Sequence, residues 1–201
     1  MPRDSRATKA RLLKAATGEF AAHGIAGARV DRIAESAGCN KNLIYVHFGS
    51  KEGLFDAVFA VAVGELLTTV PIDADDLPGY AGALHDFYRA HPEHMRLARW
   101  HSLERPGAAA LLPVVVESGA AKLKAIAAAQ ADGRVDAGLP PHALLALLLS
   151  LSATWSAGSP EAMGQDGADG GEGEDAEALA ALRHAVVVAA GRLTRPRTAD
   201  S

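Results

Sequence analysis

Residues 30–55, VDRIAESAGCNKNLIYVHFGSKEGLF, decide how the N-terminal part of the chain folds. The apolar residues of the first half recur at the spacing of one helical face: Val30, Ile33, Ala34 and Ala37. Gly38 then ends this short amphipathic helix. After the turn, Ile44 and Phe48 lie four residues apart and predict a second short helix. Two short helices joined by a glycine-containing turn are the layout of a helix-turn-helix.

A longer helix precedes this pair. The stretch from Ser5 to His23 repeats Leu12, Ala16 and Phe20 at helical spacing, and Gly24 is a natural stop. This helix and the first short helix would share a small core, which leaves the second short helix free to lie in the major groove of DNA. The outer residues of that helix and its flanks are donors suited to bases and phosphates: Asn40, Lys41, Asn42, Tyr45, His47 and Lys51.

The sequence pattern also predicts helices over most of the rest of the chain. Ser50 can cap a fourth helix, and Pro71 with an acidic turn ends it. Further helices are predicted over 77–90, 92–103, 113–131, 141–155 and 175–193. The chain is therefore expected to be all-α, with about nine helices: a helix-turn-helix DNA-binding domain over 1–50 and a helical body over 51–195. The glycine-rich, acidic residues 164–173 are expected to form a flexible loop, and 196–201 a frayed tail.

Charge is distributed unevenly along the chain. The net charge is −4, but residues 1–55 carry nine Lys or Arg against five acids. A basic head on an acidic body suits a polyanionic partner at one end. The single cysteine, Cys39, allows no intrachain disulfide, and neither a secretory signal nor a membrane-spanning apolar run is evident. We therefore expect a cytoplasmic protein without a membrane partner.

The stretch over 30–55 resembles the DNA-binding signature of the tetracycline repressor (TetR) family. The matching features are Ile-Ala in the first short helix, Ala-Gly at the turn, an Ile-Tyr-x-x-Phe pattern in the second, and Ser-Lys-Glu-x-Leu at the start of the fourth helix. Residues 80–105 are also similar to a sensor-domain segment of actinobacterial members. The resemblance implies a ligand-responsive regulator, most often a repressor, that binds double-stranded DNA at a near-palindromic operator as a homodimer.

The resemblance also assigns roles in the head. Tyr45, His47 and Lys51 would hold phosphates, while Lys41, Asn42 and Leu43 would face bases. Asn40 would cap the recognition helix or contact the DNA backbone. The chain departs from the family pattern at Arg29 and Val30, where two threonines are usual, and at Asn42 and Leu43, which replace a common Gly-Thr pair. Arg29 could reach a phosphate but cannot cap a helix. An unusual operator is expected.

The resemblance implies that the body has two tasks, ligand sensing and dimerisation through the last two helices. Candidate residues for an apolar ligand cavity are Phe59, Phe87, Tyr88, Met95, Trp100, Leu103, Val116 and Trp155, with His101 and Glu117 as polar anchors. Most of these could equally be ordinary core residues. The dimer would bury apolar side chains that one chain seems unable to cover: Leu144, Leu147, Leu148, Leu151, Leu179, Leu182, Val186 and Leu193.

Other functional classes are less well supported. His91 and His94 could share a helix face as metal ligands, but Pro92 intervenes and no cysteine or carboxylate has matching spacing, so we expect no metal. Neither GxSxG nor HExxH occurs, no glycine-rich phosphate loop follows a strand, and Cys39 lies in the turn. We expect neither an enzyme nor a cofactor. A helical scaffold without specific DNA binding is the main alternative.

Overall fold

The computed structural model describes residues 2–108, 112–155 and 172–196, and the side chains of 5–108, 112–155 and 177–196. These residues form nine α-helices and no strand, which confirms the predicted all-α class. The helices are α1 Pro2–Gly27, α2 Val30–Ser36, α3 Asn42–Phe48, α4 Lys51–Thr69, α5 Leu77–Ala90, α6 Pro92–Glu104, α7 Pro113–Ala131, α8 Pro141–Ala153 and α9 Glu172–Thr194. Among them, none is long and apolar enough to cross a membrane.

The local signals in the sequence place most helix ends within a few residues. Ser50 caps α4, since its Oγ accepts the backbone N–H of Gly53 at 3.0 Å. Proline begins α6, α7 and α8, where a missing N–H costs nothing. The last helix starts at Glu172, so residues 172 and 173 of the predicted loop are helical. Residues 164–171 of that loop and 197–201 of the tail lie outside the described residues.

Gly24 bends α1 instead of ending it. Its backbone has φ 66° and ψ −172°, while the residues on either side stay helical up to Gly27. Positive φ is readily available to glycine alone among common residues. The predicted stop at Gly24 is therefore a kink, and one further turn of helix follows it.

The chain divides into two compact units. The first unit consists of the described residues within 1–65 and 93–116, and the second consists of those within 66–92 and 117–201. The first unit therefore contains α1 to α3, most of α4, and α6. Its boundary lies beyond residue 50, because α4 and α6 pack with the first three helices.

The core of the first unit includes many of the residues that helical periodicity selected. Leu12, Phe20, Ile33, Ile44 and Phe55 are all 0% exposed. The rings of Phe20 and Phe55 meet edge to face with centroids 5.1 Å apart. These side chains join α1, α2, α3 and α4 into one cluster.

The second unit is built on α5, α8 and α9. Leu84, Leu144, Leu148 and Val186 are at most 1% exposed in its core. A side chain at Gly82 on α5 would come within 2.8 Å of Val187 on α9, so the two helices pack closely there. The expectation that Leu144, Leu148 and Val186 need a second chain to cover them is wrong, because α5, α8 and α9 bury them within one chain.

We expect Phe55→Ala to lower the free energy of unfolding of the protein by about 3–5 kcal/mol, since it removes a fully buried ring. Urea unfolding followed by circular dichroism measures this. Val61→Ala is the matched control on the same helix, because Val61 is 53% exposed and should change stability by about 0.5 kcal/mol or less. Equal losses in the two variants would contradict the assigned core.

Candidate functional site

The short helix α3 is anchored by one face and free on the other. Ile44 is fully buried in the first unit, whereas Tyr45 is 50% exposed and Val46 75% exposed. Lys41 and Asn42 at its start are also exposed, while Leu43 and His47 are half-buried. The structure thus presents most of the predicted DNA-contacting side chains on one surface around a helix that cannot rotate without exposing Ile44.

Two local devices fix the ends of this helix. The Oδ1 of Asn40 accepts the backbone N–H of Asn42 at 2.8 Å, which closes the turn into α3. At the other end Gly49 adopts φ 77°, and its N–H donates to the carbonyl of Tyr45 at 2.9 Å. Both features were readable from the sequence as an Asn and a Gly flanking a short apolar pattern.

The two lysines of this surface already have partners in the free protein. The Nζ of Lys41 lies 3.0 Å from Oδ1 of Asp31 on α2, and this hydrogen bond raises the pKa of Lys41. The Nζ of Lys51 donates to the carbonyl of Ala28 at 3.3 Å. A bound polyanion would have to compete with Asp31 for Lys41, whereas Lys51 can keep its bond to Ala28 and offer its other two protons.

Glu19 on α1 accepts the backbone N–H of the residue that precedes α2. Arg29 precedes α2 and makes no side-chain cap. Its backbone N–H donates instead to Oε1 of Glu19 at 2.8 Å, and Arg32 binds the same carboxylate with its Nε at 2.9 Å. Burial opposes ionisation of Glu19, but the hydrogen bonds from Arg32 and Arg29 outweigh it and lower the pKa. This contact joins the start of α2 to α1.

Three polar contacts join α6 and the residue that follows it to α1 and α4. Oε2 of Glu104 accepts the N–H of Ala26 at 2.9 Å, and Nε1 of Trp100 donates to the carbonyl of Ala21 at 3.4 Å. The third contact joins Arg105 to Asp56 on α4, with Nη2 and Oδ2 2.5 Å apart. We call these three contacts the α6 clamp. Gly24 lies directly beneath it, where a Cβ would clash with Glu104 and Trp100.

The sequence did not reveal the clamp. Glu104 and Ala26 are 78 residues apart, and Arg105 and Asp56 are 49 apart. No local periodicity encodes pairs at such separations. The glycine at 24 was recognised, but only as a helix stop.

The ten candidate ligand residues divide between the two units. The first unit holds Phe59, Met95, Trp100, His101, Leu103 and Val116, and the second holds Phe87, Tyr88, Glu117 and Trp155. Their burial differs widely. Phe87 and His101 are buried, while Leu103 is 73% and Val116 51% exposed, and Glu117 is also exposed.

His101 is held between two aromatic rings of α4. Its ring stacks on Phe59 with centroids 4.2 Å apart and on Phe55 at 6.0 Å, and the residue is 3% exposed. Its Nε2 has no hydrogen-bond partner among the described residues. Burial lowers the pKa of His101, and the nearby Arg105 adds to this against the opposing effect of Asp56. His101 is therefore a neutral core residue at the contact between α4 and α6.

Three polar residues in the second unit were not among the ligand-binding residues predicted from the sequence. The hydroxyl of Tyr80 is buried without a hydrogen-bond partner in the described part, and burial raises the pKa of this tyrosine. His85 is 1% exposed, and burial lowers its pKa. Lys122 shares the stripe of α7 that carries Ile126 and Ala129, both 0% exposed, and burial lowers its pKa as well. A lysine at a core position of an apolar helix was the available signal for this last residue.

Comparison with known proteins covers both parts of the chain. Residues 12–58 match the family of bacterial regulatory proteins of the tetR type, and residues 76–192 match the tetracyclin repressor-like C-terminal domain. The chain is 42% identical over 162 residues to the HTH-type transcriptional repressor SCO4008 of Streptomyces coelicolor, covering 79% of this chain and 83% of that protein.

The chain is also similar to solved structures of transcriptional regulators. The transcriptional regulator SCO4942 of Streptomyces coelicolor is 37% identical and superposes with a TM-score of 0.77, over 94% of this chain and 99% of that one. A TetR family transcription regulator from Marinobacter aquaeolei is 18% identical with a TM-score of 0.67, over 98% and 100% of the two chains. At this low identity, the likeness to the Marinobacter aquaeolei protein shows a common fold.

We expect stability to fall as the pH drops from about 7.5 to about 5.5. His101 and His85 both have a pKa below the usual value of 6.5 in the folded chain. The unfolded chain therefore takes up protons first, and the free energy of unfolding decreases once the pH passes below about 6.5. Urea titrations at the two pH values measure this loss.

The contribution of His101 can be isolated by replacement. His101→Phe should keep the aromatic stack and show a smaller loss of stability between the two pH values than the unchanged chain. His142→Gln, at an exposed position, is the control and should show the full loss. The assignment fails if His101→Phe and His142→Gln lose the same free energy on acidification.

Proposed function

Because the chain belongs to the tetracycline repressor (TetR) family of bacterial regulatory proteins, we propose that it represses transcription from a near-palindromic operator and leaves that operator when a small molecule binds. Regulators of this family bind DNA and are not enzymes. The relative SCO4008 is described as a repressor, which favours repression over activation here. Three parts of the proposal go beyond membership of the family: the near-palindromic operator, the homodimer and the response to a ligand.

One observation carries the DNA-binding part of the proposal. Ile44 fixes α3 in the core while Lys41, Asn42 and Tyr45 stand exposed beside it, in a region that is net basic. A helix held by one face with donors on the other can enter the major groove and contact both phosphates and base edges. A purely structural scaffold would have no need of this arrangement.

The residues have separate tasks in this proposal. Tyr45, His47 and Lys51 hold phosphates and set the register, whereas Lys41, Asn42 and Leu43 face the bases. Lys41 exchanges Asp31 for a base or phosphate on binding, so part of its gain is offset by the lost ion pair. Arg29 adds a further cation at the edge of this surface.

A homodimer supplies the second recognition helix. Two helices related by twofold symmetry would reach successive major grooves about one helical turn apart, which requires a near-palindromic site. The last two helices remain the proposed interface. Leu147 on α8 is 42% exposed and Val188 on α9 36% exposed, so apolar side chains are available there beyond those used by the core.

The ligand is proposed to be a mostly apolar small molecule with one or two polar groups. In the second unit Phe87, Tyr88 and Trp155 supply apolar surface. Tyr80 supplies a buried hydroxyl, and the half-buried Lys122 supplies an amine. Helix α4 contributes residues to both units and is the proposed carrier of the signal. The ligand acts only through a higher affinity for the state that binds DNA weakly.

We expect Lys51→Ala and Lys41→Ala to weaken DNA binding in different ways. Lys51→Ala should weaken binding to all sequences alike and lower the slope of log affinity against log salt by about one unit, since one phosphate contact is lost. Lys41→Ala should reduce discrimination at one base position by about 1–3 kcal/mol. Gel shifts over a salt series, with operator fragments selected from genomic DNA, measure both effects.

Lys124→Ala serves as the control, because Lys124 is exposed on α7 in the second unit. It should leave affinity, salt slope and base preference unchanged. A chain that shows no salt-dependent, site-specific shift at all would support the scaffold alternative. Unchanged binding in both Lys41→Ala and Lys51→Ala would overturn the assignment of this surface.

We expect the chain to be a dimer at micromolar concentration and Leu147→Glu to make it monomeric. A charge in an apolar interface is left unpaired on association and opposes it by several kcal/mol. Light scattering coupled to size exclusion gives the mass. Val61→Glu, at a similarly exposed apolar position on α4, is the control and should stay dimeric. A monomeric mass for the unchanged chain would refute the proposed assembly.

A further inference from the structure

A groove lies between α1 and α6 within the first unit. It has a volume of about 410 Å³ and is lined by Ala21, Ala22, Arg96, Arg99, Trp100 and Leu103. This volume lies within the range of pockets that take small molecules, about 300–1,000 Å³. The groove opens to solvent and needs no residue of the second unit.

The groove combines apolar surface with positive charge. The methyl groups of Ala21 and Ala22, the indole of Trp100 and the side chain of Leu103 are apolar, and Leu103 is 73% exposed. Arg96 and Arg99 are three residues apart on α6 and therefore lie on the same side of that helix. No carboxylate is among the lining residues.

The neighbouring acids of α6 are engaged elsewhere. Oε2 of Glu104 accepts the N–H of Ala26, and Oε1 of Glu93 lies 3.4 Å from Nδ1 of His94. Arg96 and Arg99 line a groove that has no acid among its lining residues. Guanidinium forms paired, charge-assisted hydrogen bonds with a carboxylate, and an indole packs well against a hydrocarbon tail.

We propose that this groove is a binding site for a small amphipathic carboxylate and that its occupation weakens DNA binding. The carboxylate binds Arg96 and Arg99, and the apolar tail lies against Ala22, Trp100 and Leu103. An amphipathic cation is disfavoured by the same two charges. The effect on DNA rests on the proposed function, whereas binding of the carboxylate does not.

The link to DNA binding runs through the α6 clamp. Trp100 lines the groove and also donates its indole N–H to the carbonyl of Ala21. A tail packed on this indole competes with the contact between Trp100 and α1. Since α1 carries the core on which α2 and α3 rest, a change at Ala21 reaches the DNA-facing helices within a single unit. This route is separate from a ligand cavity in the second unit.

The test uses the full-length chain with Trp155→Phe, which leaves Trp100 as the single tryptophan. Fluorescence is followed during titration with sodium decanoate below its micelle concentration, and in parallel with decyltrimethylammonium. We expect a saturable change with decanoate and none with the cation. The double substitution Arg96→Gln, Arg99→Gln should weaken the apparent affinity about tenfold or more, since it removes charge-assisted hydrogen bonds.

Two further variants guard against a folding artefact. Ala22→Phe places a ring in the groove from an exposed position of α1 and should also abolish the decanoate response. Arg192→Gln removes an exposed arginine of α9 outside the groove and should leave the response unchanged. Circular dichroism of each variant establishes that it is folded before titration.

Operator affinity is measured by fluorescence anisotropy on the same samples. Support comes from a several-fold loss of operator affinity with decanoate that disappears in the Arg96→Gln, Arg99→Gln chain. The site is overturned by the absence of a saturable response, by an equal response to the cation, or by a response that survives the double substitution. Saturable binding with unchanged operator affinity overturns its role in regulation. If no operator fragment is bound even without decanoate, the proposed function fails, and the tryptophan titration alone decides whether the groove is a site.

Discussion

The geometry of the surface around α3 depends on the burial of Ile44 and Ile33 in one core with Phe20 and Phe55. Helices α2 and α3 are seven residues each, and isolated helices below about 12–15 residues are barely stable in water. Their existence and direction therefore come from the shared core. A shift of α1 or α4 would also shift α3, because α3 is stable only through its packing in the shared core.

The α6 clamp extends this dependence to a further helix. Glu104, Trp100 and Arg105 attach one helix to the backbone of α1 and to Asp56 of α4, which are the two long helices that form the core with α2 and α3. A displacement of α6 is thereby transmitted to both sides of that core. The kink at Gly24 supplies the room for the contact, since a side chain there would collide with Glu104 and Trp100. A glycine is needed at this position for its positive φ and for its lack of a side chain.

Three cations of this polar surface have partners within the protein. Lys41 is paired with Asp31, Arg32 with Glu19, and Lys51 with the carbonyl of Ala28. The pair of Lys41 and Asp31 links the turn before α3 to α2, and the pair of Arg32 and Glu19 links α2 to α1. Exposed pairs of this kind contribute little to stability. Buried His101 and His85 behave differently, because no water is at hand to solvate the proton that they would gain.

The sequence by itself determined the all-α class, the helix-turn-helix, the caps and prolines at the helix ends, and the exposed donors around α3. Each of these depends on residues within about one or two helical turns of one another, where spacing along the chain fixes spacing in the structure. Only the tertiary structure decided that Leu144, Leu148 and Val186 face their own chain, that Glu104 binds the N–H of Ala26, and that Lys122 lies on the core stripe of α7. A hydrophobic pattern reports that a face is buried but not what buries it. A contact between residues 78 positions apart depends on how whole helices pack, which local spacing does not specify.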